Sequence, residues 1–295
     1  MILTYFQAII LGLIQGITEP FPISSLGHNV LIPQLLGWHN IVTSEPKSES
    51  FFLAFLVALH VATALALFIF YRKIWWKLIK AFVVSVKKRQ INTANERLIW
   101  LLIMATIPAG LTALAFEHLL RTQFAKPMAA AVFLVINGII LLIGDQYANK
   151  QAKQRSDFNM QSSVDQTAKA MSLPKAGIIG VAQILALIAG LSRSGITMVS
   201  GLFTGLDYED SARFSFLLAT PIIGAAGIYK LPDLIGPNGN GVRSQIFVGA
   251  VAAFIAAYFA VRFLDKYFRT RSLRPFAIYS MVFGLFMVVF IAAGG

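Results

Sequence analysis

Two short stretches of this chain set hydroxyls and charges inside otherwise apolar sequence. The first runs from Gly12 and Gln15 through Glu19, Pro20 and Pro22 to Ser24, Ser25, Gly27 and His28. The second runs from Gly180 and Gln183 through Gly190 to Ser192, Arg193, Ser194, Gly195 and Thr197. In both, a glutamine stands nine positions before the first serine, which marks an internal repeat. An ionisable side chain at membrane depth costs roughly 3 kcal/mol unless it is paired or wetted, so such groups are rarely decorative. The two stretches read as halves of one central site.

Each group of residues suggests a chemistry. Gln15 and Glu19, four apart, share one face of a helix, where a carboxylate beside an amide oxygen can hold Mg²⁺ or Ca²⁺. A helix-end cap is the alternative. Ser24, Ser25 and His28 supply hydroxyls with an imidazole close by, and Glu19 is a second candidate base or an orienter of the ring. Gly27 permits a tight turn and close approach of a ligand, while Ser24 in particular is suited to capping a helix, which leaves the other serine of the pair to react. Ser192, Arg193, Ser194 and Thr197 place a planar guanidinium among hydroxyls at a fresh helix start, an arrangement suited to cradling phosphate. His60 and Thr63 sit in mid-span, where packing and function are both open. Asp207, Glu209, Asp210 and Arg213 read as a helix start with acids in its first turn, and His39 and His118 as interfacial residues.

Composition says what must position these groups. With 57% hydrophobic and 13% charged residues among 295, and a mean hydropathy of +0.71, the chain is an integral membrane protein. Cysteine is absent, which excludes disulfides, a thiol nucleophile and a thiolate metal site. The net charge of +12 falls in loops between apolar spans, so it reads as a positive-inside bias and not as a nucleic-acid surface. Met1 and the residues after it lack a basic segment and a cleavage site, so no removed signal peptide is expected.

A spanning helix needs about twenty apolar residues. Six segments approach this: 51–71, 98–117, 127–144, 213–229, 244–263 and 276–293. Tyr5 to Thr18 and Ala176 to Leu191 are too short to cross and run into Gly, Pro and polar residues, the pattern of re-entrant hairpins whose tips meet inside the bundle. Lys and Arg number eight in 72–97, five in 150–175 and five in 262–274, against five in the opposite loops, which assigns the first three to the cytoplasm. The expected fold is all-α with two inverted-topology repeats, each a re-entrant hairpin plus three transmembrane helices. The first repeat covers 1–149 with its hairpin at about 5–37; a cytoplasmic linker covers 150–175; the second repeat covers 176–295 with its hairpin at about 176–206.

These residues resemble the signatures of the bacterial undecaprenyl pyrophosphate phosphatase family, the bacitracin-resistance type. The first signature, Glu or Gln, three residues, Glu, then Pro-x-Ser-Ser-x-Gly-His, is met by Gln15, Glu19, Pro22, Ser24, Ser25, Gly27 and His28. The second, Pro-Gly-x-Ser-Arg-Ser-x-x-Thr, is met by Gly190, Ser192, Arg193, Ser194 and Thr197. His60, Thr63, the Phe214–Ala219 run with Pro221, and Pro275–Tyr279 extend the likeness over nearly the whole chain. Gln15 stands where the family often has Glu, Pro20 where it has a bulky apolar residue, Ala189 where it has Pro, and Ser280 where it often has Arg.

The resemblance implies hydrolysis of undecaprenyl pyrophosphate to the monophosphate carrier lipid of cell-wall synthesis, in a multi-pass protein of the bacterial plasma membrane; the count of Lys and Arg in the loops puts the opening of the site on the outer side. Ser25 would attack the terminal phosphorus, His28 or Glu19 would take its proton, and Arg193 with Mg²⁺ or Ca²⁺ on Glu19 and Gln15 would balance the charge. Attack by a metal-activated water is the mechanistic alternative. Ser24, Gly27, Ser192, Ser194, Thr197 and His60 would bind substrate. The partners implied are the polyprenyl pyrophosphate lipid and membrane lipids, without nucleic acid; a homodimer is among the assemblies left open. An inverted-repeat lipid transporter is the competing function. The acid-phosphatase-like membrane class is set aside, because no histidine follows His118.

Overall fold

Thr4 opens the first helix with a reciprocal cap: its hydroxyl accepts from Gln7 N at 3.2 Å while the Gln7 amide oxygen accepts from Thr4 N at 3.0 Å. The computed structural model describes residues 3–38, 51–116, 126–154, 171–235 and 241–295. Its described helices are α1 (Tyr5–Thr18), α2 (Ser25–Leu35), α3 (Phe51–Phe70), α4 (Arg72–Lys88), α5 (Ala94–Ala115), α6 (Pro127–Gln154), α7 (Leu173–Ala182), α8 (Arg193–Phe203), α9 (Tyr208–Ile235), α10 (Arg243–Tyr267) and α11 (Arg274–Ala292). A 3-10 turn, Gln183–Leu187, follows α7. Among the described residues no strand is present.

Five of these helices, α5, α6, α9, α10 and α11, are long and apolar enough to cross a membrane alone, and α3 with α4 makes a bent pair with an 86° turn between them. The six expected spans are thus each largely helical over their described residues. The segment 72–97, expected as a basic loop, differs: most of it is α4, because its lysines alternate with apolar residues at helical spacing. Of the expected linker, 150–154 continues α6, and 155–170 lies outside the described residues, as do His39 and His118. The acids at 209 and 210 do sit in the first turn of α9, where Arg213 pairs with Glu209 at 2.6 Å.

The short helices are held by close backbone crossings. Helix α1 lies on α10, where a methyl group on Gly12 would collide with the Gly249 carbonyl and one on Gly16 with the Ala253 carbonyl. This is small-residue packing, in which the absence of Cβ lets two backbones touch. Helix α7 lies on α5 in the same manner, with Gly180 against the Ala105 carbonyl. Helices α1 and α7 are therefore each seated on a long helix from the other half of the sequence.

Candidate active site

Glu19 ends α1, donating its N–H to the Gln15 carbonyl at 2.9 Å. The chain then turns and re-enters a helix at Ser25. The N-cap Ser24 takes φ 68° and ψ 99°, a left-handed conformation that a residue with a Cβ rarely adopts. Three bonds hold it there: its hydroxyl accepts from Gly27 N at 3.2 Å, and its carbonyl accepts from His28 N at 3.2 Å and His28 Nδ1 at 2.7 Å. Ser192 caps α8 in the same way, accepting from Gly195 N at 3.2 Å. Two helix N-termini, each with amides lacking an intrahelical partner, therefore open at adjacent hairpin tips, a setting that favours an anion.

Charge meets charge between the tips. Arg193 Nη2 donates to Glu19 Oε1 at 3.1 Å, and both side chains are largely buried. Arg193 Nη1 donates to the Ser215 carbonyl at 3.3 Å, while its buried Nε has no hydrogen-bond partner. The other carboxylate oxygen of Glu19 accepts a short hydrogen bond from Ser25 Oγ and one from Gln15 Nε2 at 3.1 Å, and it faces His60 Nε2 at 3.4 Å. The His60 Nδ1 is bonded to the Leu56 carbonyl at 2.7 Å, and a carbonyl can only accept, so Nδ1 carries a proton. The contact with Glu19 is attractive once a second proton lies on either partner.

Glu19, Ser24, Ser25, His60, Ser192 and Arg193 line the polar end of a cavity of about 350 Å³. Its remaining wall is mostly apolar, with Leu56, Ala109, Ala113, Leu187, Ile222 and Ala226 among its members. A hydroxyl beside a carboxylate, an arginine and two helix ends, opening onto an apolar passage, suits an anionic headgroup on a hydrocarbon chain.

Residues 8–286 match the family model described as bacitracin resistance protein BacA. The chain belongs to the BacA family. It is 46% identical to undecaprenyl-diphosphatase 2 of Frankia alni, with 97% of this chain and 98% of that one covered. It is 47% identical to the undecaprenyl-diphosphatase of Mycolicibacterium paratuberculosis, with 98% of each covered, and 42% identical to undecaprenyl-diphosphatase 2 of Chromobacterium violaceum, with 96% and 98% covered. These relatives carry enzyme names, which leaves the transporter alternative without support.

Within this BacA-family chain the expected site residues divide. Gly27, Ser194 and Thr197 are not among the cavity-lining residues. Gly27 packs against Gly190, where an added Cβ would lie 3.1 Å from the Gly190 Cα. Ser194 Oγ donates to the Phe21 carbonyl at 3.0 Å, and Thr197 Oγ1 donates to the Arg193 carbonyl at 2.8 Å and lies 2.6 Å from Ser215 Oγ. These three shape the site from behind.

His28 is turned away from Ser25. Its Nδ1 donates to the Ser24 carbonyl, so its Nε2, 2.9 Å from Tyr279 Oη, accepts from that hydroxyl. Tyr279 and Phe283 stack with the ring, at centroid distances of 5.7 and 5.1 Å. Neither ring nitrogen is free for the Ser25 proton; the base in contact with Ser25 is Glu19. His28→Ala releases the strained Ser24 and is expected to lower kcat roughly a hundredfold, the cost of a nucleophile misplaced by about 1 Å. Tyr279→Phe, which keeps the stacking, should cost less than tenfold. Steady-state phosphate release by both variants, with KM unchanged, checks this ordering.

The expected cation pair does not fit as arranged. The Gln15 amide oxygen accepts from Asn29 Nδ2 at 2.8 Å, and it is the amide nitrogen that faces Glu19. Both Glu19 oxygens already have donors, and among the described residues no group of three or more His, Asp or Glu side chains is placed to hold a metal.

Asn137 was not singled out from sequence, yet it stitches the two tips together. Its Oδ1 accepts from Ser192 N at 2.9 Å, and its Nδ2 donates to the Pro22 carbonyl at 3.0 Å and lies 3.4 Å from Ser280 Oγ. The available signal was a lone amide in the apolar run 127–144, a costly choice unless fully bonded. Ser280, in the position often held by Arg, is buried in this network.

Proposed function

We infer that this chain is a membrane phosphatase that hydrolyses undecaprenyl pyrophosphate to undecaprenyl phosphate and inorganic phosphate, recycling the carrier lipid of cell-wall synthesis. One observation carries the assignment of roles: Ser25 donates to Glu19, and Arg193 holds the other oxygen of that carboxylate, in a cavity whose remaining wall is mostly apolar. In this reading the terminal phosphate lies against Arg193 and the N-termini of α2 and α8, and the prenyl chain runs along the apolar wall.

Ser25 Oγ attacks the terminal phosphorus as Glu19 takes its proton; the bond from that phosphorus to the bridging oxygen breaks, and undecaprenyl phosphate leaves carrying that proton from Glu19, which is a carboxylate again. Water then attacks the phosphoserine, giving a proton to Glu19. The P–Oγ bond breaks, inorganic phosphate departs and Ser25 is reprotonated. Arg193 offsets charge on the equatorial oxygens throughout. His60 faces the same Glu19 oxygen that accepts from Ser25. Ser24 and Ser192 act through the caps that aim the two helix ends.

We read the architecture as two inverted repeats in the bacterial plasma membrane, with the cavity opening away from the basic loops. The equivalent seating of Gly12 on Gly249 and Gly180 on Ala105, each glycine three residues before its glutamine, supports the repeat. Supplying undecaprenyl pyrophosphate to the detergent-purified full chain tests the function. The expected products are phosphate and undecaprenyl phosphate in equal amounts; intact lipid after incubation with well-folded protein overturns the reading.

A further inference from the structure

Helix α4 carries six lysines and arginines in its seventeen residues, and no acidic residue occurs between Arg72 and Glu96. It turns 86° from α3, so it runs across the direction of that span. Successive residues are about 100° apart, which sorts the helix into three faces. One face, with Trp75, Leu78 and Ser85, is buried, and Trp100 of α5 donates its indole N–H to Ser85 Oγ at 3.0 Å. That contact fixes the rotation of the helix.

The neighbouring face is an apolar stripe left uncovered by the protein. Trp76, Ile79, Val83 and Val86, spaced i, i+3, i+7 and i+10, are 62%, 40%, 44% and 50% exposed. On its other side stand the exposed Lys73, Lys77, Lys80, Lys87 and Lys88. Lys80 reaches back so that its Nζ lies 5.9 Å from the centroid of the Trp76 ring. Lys73, Lys77 and Lys80 have no carboxylate partner among the described residues.

We propose that α4 lies in the plane of the membrane interface, with its Trp76–Val86 stripe in the acyl boundary and its lysine row binding anionic phospholipid headgroups. A stripe of large apolar residues beside a one-signed row of cations is the composition of an interfacial helix, and an aromatic at the boundary completes it. The charge argues for anionic over zwitterionic lipid, since each lysine near a surface of opposite charge raises the local preference about fivefold at low salt. The site is separate from the cavity of the proposed reaction and stands whether or not that reading holds.

The test uses the full chain in nanodiscs of phosphatidylcholine, with a quarter of the lipid replaced by brominated phosphatidylcholine or brominated phosphatidylglycerol. The difference between wild type and Trp76→Phe isolates the fluorescence of Trp76. Both brominated lipids should quench it, phosphatidylglycerol at least twofold more strongly. The triple variant Lys73→Gln, Lys77→Gln, Lys80→Gln, unchanged in melting temperature because these side chains are exposed, should remove the difference, and high salt should narrow it. Equal quenching by the two lipids in the wild type overturns headgroup binding. Trp76 unquenched by either but accessible to iodide overturns the interfacial placement and points to a water-facing helix that meets an acidic macromolecule.

Discussion

Glu19→Gln yields a folded protein whose phosphate release is slower by about a thousandfold, the loss of a general base in direct contact with its nucleophile. The amide keeps nearly the same shape and can still accept from Ser25 Oγ, but it cannot take the proton. It also leaves Arg193 without its ion-pair partner in a buried position, which costs roughly 3 kcal/mol of stability and should appear as a lower melting temperature. The kinetic effect is the larger of the two and falls on kcat. Arg193→Lys is not a conservative change here, because one ammonium cannot serve both Glu19 Oε1 and the Ser215 carbonyl as the guanidinium fork does. A lysine variant within tenfold of wild type would contradict the assigned role.

Gly190→Ala is expected to remove both folding stability and activity, although it adds a single methyl group far from the Glu19 carboxylate in sequence. Gly190 has φ of +100°, where an L side chain is strained, and its Cβ would collide with the Ala130 carbonyl and lie 2.7 Å from the Phe133 Cβ. Gly27 of the other turn also packs close to the Gly190 backbone, where its own added Cβ would lie 3.1 Å from the Gly190 Cα. Strain and overpacking together cost roughly 3 kcal/mol or more. A thermal melt followed by size-exclusion chromatography reads this loss, and the control Gly177→Ala, where nothing lies within 4 Å of an added Cβ, should melt with the wild type.

The spans were legible because hydrocarbon demands long apolar runs, and each of the six expected segments is largely helical over its described residues. The polar turns between the short helices were legible for a different reason: Gly, Pro and hydroxyl residues interrupt the apolar runs there, and Ser24 and Ser192 cap the helices that follow, each accepting from the glycine three residues on. What escaped were properties of direction. His28 stands three residues after Ser25, which suggested a base, but its ring bonds the carbonyl of Ser24 and looks toward Tyr279, 251 residues away. The Gln15 amide is likewise spoken for by Asn29, so the spacing of four with Glu19 carried no information about which end of the amide faces the carboxylate. Helix α4 was hidden because its lysines were counted as a total, when their period held the information. The Arg193–Glu19 pair joins residues 174 positions apart and becomes visible only when both tips are placed.

The most direct test of the account is phosphate release from undecaprenyl pyrophosphate by purified wild type and Ser25→Ala of equal melting temperature, with acid-quenched samples searched for phosphoserine. The account predicts phosphate on Ser25 in the wild type and release in the variant reduced by at least a thousandfold, the scale of losing an activated nucleophile. A Ser25→Ala protein that still releases phosphate near the wild-type rate would contradict it.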